Sequence, residues 1–327
     1  MQVSKALVYN EFGAPSQVLR LEERPVGTPG YGEVKVRLLA APIHPSDIGM
    51  VLGKYGQLAQ LPAVGGREGV AEIIETGEGV TRYKIGDRAV VPTSTGSWQT
   101  CAVVPVDKLF RVPSDIPVEI AAMSMVNPPT AWRLLRDNDL QEGDWVVQNA
   151  ANSAVGLHVI EMARHFGLKT LNVVRREELI DPLKKLGADV VVLEDSGYEK
   201  KVAELTGGSN VKLALNSIGG ESAIRLVNAL SPDGTHITFG AMQFEAVRYP
   251  TRALIFNNIT MKGFWMDKWF RAQSEARRTI MYDKLFDLMR KGIVKASVDA
   301  TYPLEDYREA FARVAQPRLG KVLFRFA

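Results

Sequence analysis

An α/β protein, in which a doubly wound parallel sheet follows a β-rich, barrel-like unit, is what the sequence predicts. Three observations carry that expectation. The stretch Asp144 to Arg176, DWVVQNAANSAVGLHVIEMARHFGLKTLNVVRR, reads as strand, helix and strand. Within about thirty residues this is a βαβ unit, and its crossover makes the two strands parallel. The alternation of apolar runs and helical patterns then continues to Gly263. Before it, residues 1 to 115 carry only short strand patterns with glycine turns between them, the signature of a compact β-barrel-like unit.

In chain order, the predicted strands of the first unit are Ala6–Tyr9, Glu33–Ala40, Gly69–Thr76, Arg88–Val91, Thr100–Val104 and Lys108–Val112. Turns come from Gly27 to Gly32, Gly65-Gly66, Gly77 to Gly79 and Ile85-Gly86-Asp87. From Ile116 the period changes, and Ile120, Met123 and Val126 give a short helix. A second helix follows Asn127-Pro128-Pro129-Thr130, with proline as its entry signal. In the βαβ unit, Val155, Val159, Met162, Ala163 and Phe166 recur at helical spacing, and Gly167 stops the helix. Helix from Asp181, strand Asp189–Leu193, helix Glu199–Leu205 and strand Val211–Leu215 continue the series. A helix from Gly219-Gly220 and strands His236–Phe239 and Asn258–Gly263 complete it. The tail predicts a long helix, Gln273 to Lys291, with Ile280, Leu285, Leu288 and Met289 inward. A helix Glu305 to Val314 and a last strand, Lys321 to Phe326, end the chain.

Composition excludes several function classes. At 327 residues, 46% hydrophobic and 24% charged, the chain has the make-up of a globular protein of two domains. A net charge of +3 does not suggest nucleic acid, and it suits an anionic small molecule or an acidic partner. No apolar run is long enough to span a bilayer, so no membrane partner is expected. The single cysteine, Cys101, rules out an internal disulfide. The sequence opens directly into a strand pattern without a secretory or transit signal, and a cytoplasmic location is expected.

The turn after the first βαβ strand, Ala151-Asn152-Ser153-Ala154-Val155-Gly156, stands where dinucleotide-binding folds carry G-x-G-x-x-G. Only Gly156 survives; Ala151 and Ser153 take the first two glycine positions. Small residues are needed there so that backbone N–H groups can approach a pyrophosphate at the helix N-terminus. Taken alone, the turn reads equally as an ordinary βα connection. Arg175 and Arg176 at the end of the second strand shift that balance. A carboxylate there would accept a ribose 2′-hydroxyl, whereas two guanidiniums would clamp a 2′-phosphate, which selects NADPH.

An all-β N-terminal unit with Gly86-Asp87-Arg88 before a strand, a shift to α/β near residue 120, and a terminal helix and strand resemble the medium-chain dehydrogenase/reductase superfamily. Four runs resemble its 2-enoyl thioester reductases of mitochondrial fatty-acid synthesis and their bacterial relatives. They are His44-Pro45-Ser46-Asp47 leading to Gly53-Lys54-Tyr55-Gly56; Asn127-Pro128-Pro129-Thr130-Ala131-Trp132; Asn149 to Gly156 with Asn172-Val173-Val174-Arg175; and Gly263-Phe264-Trp265-Met266. The resemblance implies a GroES-like catalytic domain of residues 1–118 plus 267–327 around a Rossmann domain of residues 119–266. It implies NADPH-dependent reduction of the 2,3 double bond of trans-2-enoyl thioesters carried on coenzyme A or acyl carrier protein. It also implies roles. Tyr55 matches the proton donor, and Asn127 an amide that contacts the cofactor. Asn152, Ser153, Ala154 and Val155 match the pyrophosphate turn, and Arg175 and Arg176 the 2′-phosphate site. Phe239, Gly240, Ala241 and Met242, with Phe264, Trp265 and Met266, match loops at the nicotinamide and substrate. Lys321 matches a late basic contact to the cofactor. His44 departs from the usual Asn, Trp132 from Tyr, and Arg176 from an acidic residue.

No metal site is expected. Zinc-dependent relatives need a cysteine-rich lobe and a Gly-His-Glu motif, and here Gly66-Arg67-Glu68 puts arginine in the ligand's place. Enoyl reduction without a metal needs a hydride at the β-carbon, a proton at the α-carbon and a donor to the thioester oxygen. Tyr55, a phenol in a glycine-flanked loop, suits the proton step; by itself it also reads as a surface aromatic in a turn. Trp265 reads either as pocket wall or as core. The basic run Lys268, Arg271, Arg277 and Arg278 reads as a contact for coenzyme A phosphates or an acidic carrier protein, or as a solvated helix face. Two other functions stay open: a zinc-independent NADPH:quinone oxidoreductase, and a non-catalytic NADPH-binding protein. A homodimer is expected, since Ile237–Phe239 and Asn258–Lys262 read as an exposed sheet edge.

Overall fold

The computed structural model describes residues 2–243, 245–295 and 297–326. Its contacts divide the chain into two units, Met1–Val126 with Lys295–Ala327, and Asn127–Val294. The first expected boundary thus moves from residue 118 to 126, and the chain returns to the β-rich unit at Lys295 rather than at 267. The helix Glu275–Arg290 packs against the helix Asn127–Arg136, which keeps it in the second unit.

The β-rich unit is built on the strand Glu33–Pro42, which pairs antiparallel with Gly69–Thr76, Cys101–Pro105 and Lys321–Arg325. Gly69–Thr76 continues the sheet to Arg88–Val91 and Phe110–Val112, and Val298–Tyr302 closes the other side. A second sheet orders Arg20–Val26, Gln2–Tyr9 and Ala63–Val64. Arg20–Val26 is an edge strand that the sequence pattern did not reveal. Its RLEERPV run breaks the apolar alternation with charges and a proline, which edge strands tolerate. The core between the sheets holds Leu7, Val36, Leu38, Ile43, Ile73, Trp98 and Phe324. Trp98 is fully buried; its indole N–H donates to the Pro42 carbonyl at 3.1 Å, and Phe311 and Phe324 meet it edge-on. The indole lies directly on Gly65 and Gly66, where any Cβ would strike it, and Gly66 has φ +87°. These two glycines therefore serve close packing as well as a turn, and they fix the chain entering Arg67-Glu68.

The second unit carries a six-stranded parallel sheet in the order Val190–Leu193, Lys169–Val174, Trp145–Gln148, Val211–Asn216, Thr235–Thr238 and Thr260–Gly263. This is the doubly wound order, with the switch point beside Trp145–Gln148. Val147, Leu171, Val173, Val211, Ala214 and Leu226 form its core. Gly187, at φ +116°, ends the helix Ile180–Leu186, and Phe166 with Gly167 ends Ala154–His165. Two expectations are corrected. Thr235–Thr238 lies inside the sheet, so of the two expected edge segments only Thr260–Gly263 is an edge. Ile280 is 56% exposed on the long helix, whereas Leu285, Leu288 and Met289 are buried. Among the described residues, no helix is long and apolar enough to cross a membrane.

Candidate active site

In the second unit, the expected site residues other than Asn127 follow the carboxyl ends of the parallel strands, the edge at which ligands bind in such sheets. After Trp145–Gln148 the backbone turns sharply, with Ala150 held at φ +45°. A left-handed alanine costs on the order of 1–2 kcal/mol, and such strain gathers at ligand-binding turns. Ser153 caps the helix Ala154–His165, its Oγ accepting the Gly156 N–H at 3.1 Å. A Cβ on Gly156 would lie 2.5 Å from the Ala151 carbonyl oxygen, and the Ala151 side chain is fully buried. That explains which glycine of the pattern survives. Helix and turn touch at Gly156, while at Ala151 and Ser153 a small side chain fits.

A network of buried amides braces this turn. Gln148 Nε2 donates to the Gly156 carbonyl at 3.0 Å and to Asn172 Oδ1 at 2.7 Å. Asn149 Nδ2 donates to Asn216 Oδ1 at 2.8 Å and Ser222 Oγ at 3.0 Å, and its Oδ1 accepts the Ser217 N–H at 2.8 Å. Asn216 in turn holds the Ile218 and Gly219 N–H groups and reaches Thr238 Oγ1. Asn216, Ser217 and Ser222 escaped the sequence reading; polar residues at the end of an otherwise apolar strand, ALNS, were the available signal.

Arg175, Phe239–Met242 and Phe264–Met266 follow other strands of the same edge. Arg175 is exposed and has no ion-pair partner among the described residues, whereas Arg176 Nη1 meets Glu178 Oε1 at 3.1 Å. The loop Phe239–Met242 is tied to its neighbour by Phe239 N–H to Asn216 O at 2.9 Å and Met242 N–H to Ser217 O at 3.0 Å. Phe264 N–H donates to Thr238 O at 3.0 Å, and Trp265 starts the helix Met266–Ala272 under the Arg271 guanidinium at 5.0 Å. Arg278 covers the Phe270 ring at 4.5 Å, so half of the basic run lies on aromatic faces. Asn127 is buried at the start of the helix Asn127–Arg136, and its Nδ2 has no hydrogen-bond partner among the described residues. A buried amide donor left open, a glycine-tight helix N-terminus and an unpaired guanidinium fit a dinucleotide with a 2′-phosphate.

In the β-rich unit, Tyr55 follows the helix Pro45–Val51. Gly53, at φ +70°, ends that helix, and Lys54 N–H donates to Gly49 O at 2.8 Å. Tyr55 is half-buried, and the Arg67 guanidinium carbon lies 4.3 Å from the centre of its ring. Beside them is a buried polar cluster that the sequence reading did not assemble. His44 caps the helix; its N–H donates to Asp47 Oδ2 at 2.6 Å, and its Nε2 lies 2.5 Å from Glu68 Oε1. Glu68 Oε2 accepts the Met125 and Val126 N–H groups at 2.8 and 3.0 Å. Burial pushes the Glu68 carboxyl up to about 8, against those two N–H groups and the charges of Lys321 and Arg67. Burial also holds the His44 imidazole down at about 3, with Lys321 acting in the same direction. Both directions favour neutral forms, so this contact is an acid donating to an imidazole rather than an ion pair. Lys321 is buried in the same cluster; burial and Arg318 bring its ammonium down to about 8, opposed by Asp47 and Glu68. Among the described residues, no group of three or more His, Cys, Asp or Glu side chains is placed to hold a metal ion.

Known proteins agree with this architecture. Residues 30–114 match the alcohol dehydrogenase GroES-like domain, and residues 154–281 the zinc-binding dehydrogenase family. The mitochondrial enoyl-[acyl-carrier-protein] reductase of Xenopus tropicalis is 43% identical over 97% of this chain and 94% of its own. The human enzyme of that name is 40% identical over 96% of this chain and 86% of its own. The chain belongs to the zinc-free enoyl thioester reductases of the medium-chain dehydrogenase/reductase superfamily. Among solved structures, an Etr1p/NADP/crotonyl-CoA complex superposes with a TM-score of 0.91 at 26% identity, over 99% of this chain and 100% of the other. The mitochondrial 2-enoyl thioester reductase Etr1p/Etr2p heterodimer of Candida tropicalis gives 0.90 at 27%, with the same coverage. A mycobacterial quinone oxidoreductase gives 0.85 at 26%, over 98% and 99%. Membership in this family corrects the cytoplasmic expectation: the relatives are named as mitochondrial enzymes and point to that compartment instead. The zinc named by one matched family has no counterpart in the ligand motif here, where Arg67 stands.

The Glu68 carboxyl carries a pH prediction. Its native value is raised above the ordinary 4.5, so the stability it contributes is full below about 4.5 and is lost as pH rises through about 8. Glu68→Gln keeps an acceptor for Met125 and Val126 and cannot ionise. The thermal midpoint of the native protein is expected to fall relative to that of the variant between pH 5 and pH 8. Parallel midpoints across that range would place the proton elsewhere.

Proposed function

We propose that this chain reduces the 2,3 double bond of trans-2-enoyl thioesters with NADPH, delivering a hydride to the β-carbon and a proton to the α-carbon. One observation carries the reading: a single chain of the enoyl thioester reductase family holds a glycine-flanked phenol at Tyr55 and the exposed guanidinium of Arg175 after the second strand of the βαβ unit. NADPH, when bound, supplies the hydride. Asn152, Ser153, Ala154 and Val155 offer the capped N-terminus of Ala154–His165 to the pyrophosphate. Arg175 takes the 2′-phosphate, with Arg176 held back by Glu178 as a weaker second contact. The Asn127 amide donates to the nicotinamide end, and the loops Phe239–Met242 and Phe264–Met266 shield that end from water. Lys321, at the start of the last strand, adds positive potential as a late basic contact to the cofactor. Tyr55 gives its hydroxyl proton to the α-carbon, directly or through a water, and is reprotonated from solvent. One double bond, one hydride and one proton yield the saturated thioester and oxidised cofactor.

The acyl thioester is the small-molecule partner, on coenzyme A or a carrier protein. We also infer a homodimer through the open edge of Thr260–Gly263, beside the helix Thr251–Phe256, where Ile255 and Phe256 are largely exposed. Sedimentation at micromolar concentration checks this, and a monomer would overturn it.

Losing a charge-assisted contact costs roughly 1.5–3 kcal/mol. Arg175→Ala is therefore expected to raise the Michaelis constant for NADPH and leave NADH use nearly unchanged in steady-state assays. Equal losses with both cofactors would move the 2′-phosphate away from this residue. Tyr55→Phe keeps the ring and removes the hydroxyl. Turnover of crotonyl-CoA is expected to fall by roughly 10²–10⁴ with NADPH affinity unchanged. Quinone reduction, which can draw its protons from water, is expected to persist. Near-normal enoyl reduction by this variant would favour the quinone reading, and NADPH binding by the native chain with no turnover of either substrate would favour a non-catalytic role.

A further inference from the structure

We propose that Arg67 is a positioning residue for Tyr55, holding the phenol by its face so that the hydroxyl keeps one direction during proton transfer. The proposal rests on the reading that Tyr55 is the proton donor. Three features of the β-rich unit support it.

First, Arg67 is 3% exposed, an unusual site for a guanidinium, because desolvating a cation is costly unless the structure returns something for it. Part of the return is electrostatic: its positive charge holds the buried Asp47 and Glu68 carboxyls below where burial alone would set them. Second, the guanidinium carbon stands 4.3 Å from the Tyr55 ring centre, well inside the distance of about 6 Å at which a cation is held by an aromatic face. Third, the two groups differ in what anchors them. The Arg67 backbone leaves Gly65-Gly66, which lie under the buried Trp98 and whose carbonyls accept the Trp98 and Ser97 N–H groups. Tyr55 sits in a short loop whose residues Lys54, Gly56, Gln57 and Leu58 are exposed. A planar group on a fixed strand entry thus faces a ring carried on an exposed loop. Restricting the ring is the effect such a contact has, and a misplaced donor loses rate rather than affinity.

The test is a double-mutant cycle on turnover of crotonyl-CoA with NADPH, using the full chain. Arg67→Lys keeps the charge but not the flat face; Arg67→Met keeps reach without charge. Each is made alone and with Tyr55→Phe, and thermal melting checks folding. Turnover is expected to fall roughly ten- to a hundredfold in the Arg67 variants, with the Michaelis constant for NADPH unchanged. In the Tyr55→Phe background the same changes are expected to cost nothing further, because a residue acting through the hydroxyl has none left to act through. Equal losses in both backgrounds, or undiminished turnover in both Arg67 variants, would overturn the proposal. Should Arg67→Met fail to fold, Arg67→Lys completes the cycle; failure of both would assign Arg67 to the fold and overturn the role. If Tyr55→Phe alone is silent, the proton-donor reading fails first and this inference falls with it, an outcome distinct from additivity.

Discussion

The β-rich unit depends on how one set of buried charges is balanced. Arg67, Lys321, Asp47, Glu68 and His44 are all nearly inaccessible to water. Left uncompensated, any charge there would cost several kcal/mol. The structure answers in three ways. Asp47 takes the His44 N–H and Glu68 takes two further backbone N–H groups. Lys321 and Arg67 set positive charge beside the two acids. His44 and Glu68 keep neutral forms against each other. The cluster ties together the helix cap at His44, the strand entry at Glu68, the end of the unit at Val126 and the last strand at Lys321. Segments distant in sequence are thereby held to one geometry around the loop that carries Tyr55.

The second unit solves a different problem with uncharged groups. In the proposed cofactor site its turn offers backbone N–H groups to an anion, and such a turn needs support from behind. Asn149 and Asn216 replace the missing bonds with amide contacts that lie behind the turn, and Gln148 joins the first strand to the second through Asn172. Amides suit this place because they give and accept without bringing a net charge that would compete with a phosphate. The positive charge is placed farther out, at Arg175.

Much of this was legible in the sequence where one period or one local rule decides. The βαβ unit was, because apolar residues at helical spacing lie between two short apolar runs and Gly167 marks the stop. The tight turn at Gly156 was, because small residues before it have a direct steric meaning. Strand Arg20–Val26 was not, since an edge strand does not need apolar alternation. Helix Pro45–Val51 was not, because seven residues containing a glycine give no periodic signal. The segment 267–294 was assigned to the wrong unit because its partner, the helix Asn127–Arg136, is far away in sequence. The same reason hid the contact between His44 and Glu68, and the approach of Lys321 to both. Each residue is ordinary where it stands, and only the sheet register brings them together.

The placement of Trp98 has a spectroscopic consequence. The chain has five tryptophans, and Trp98 is the one that falls within Met1–Val126 and Lys295–Ala327. Its indole is enclosed between Gly65-Gly66 and Phe311 and Phe324 and is shut off from solvent. Its fluorescence is therefore blue-shifted when this unit is intact and moves to the red when the unit opens. The other four, Trp132, Trp145, Trp265 and Trp269, report on the second unit. The difference spectrum between the native chain and a Trp98→Phe chain isolates an optical signal for the β-rich unit, so the order in which the two units melt can be followed without any added label.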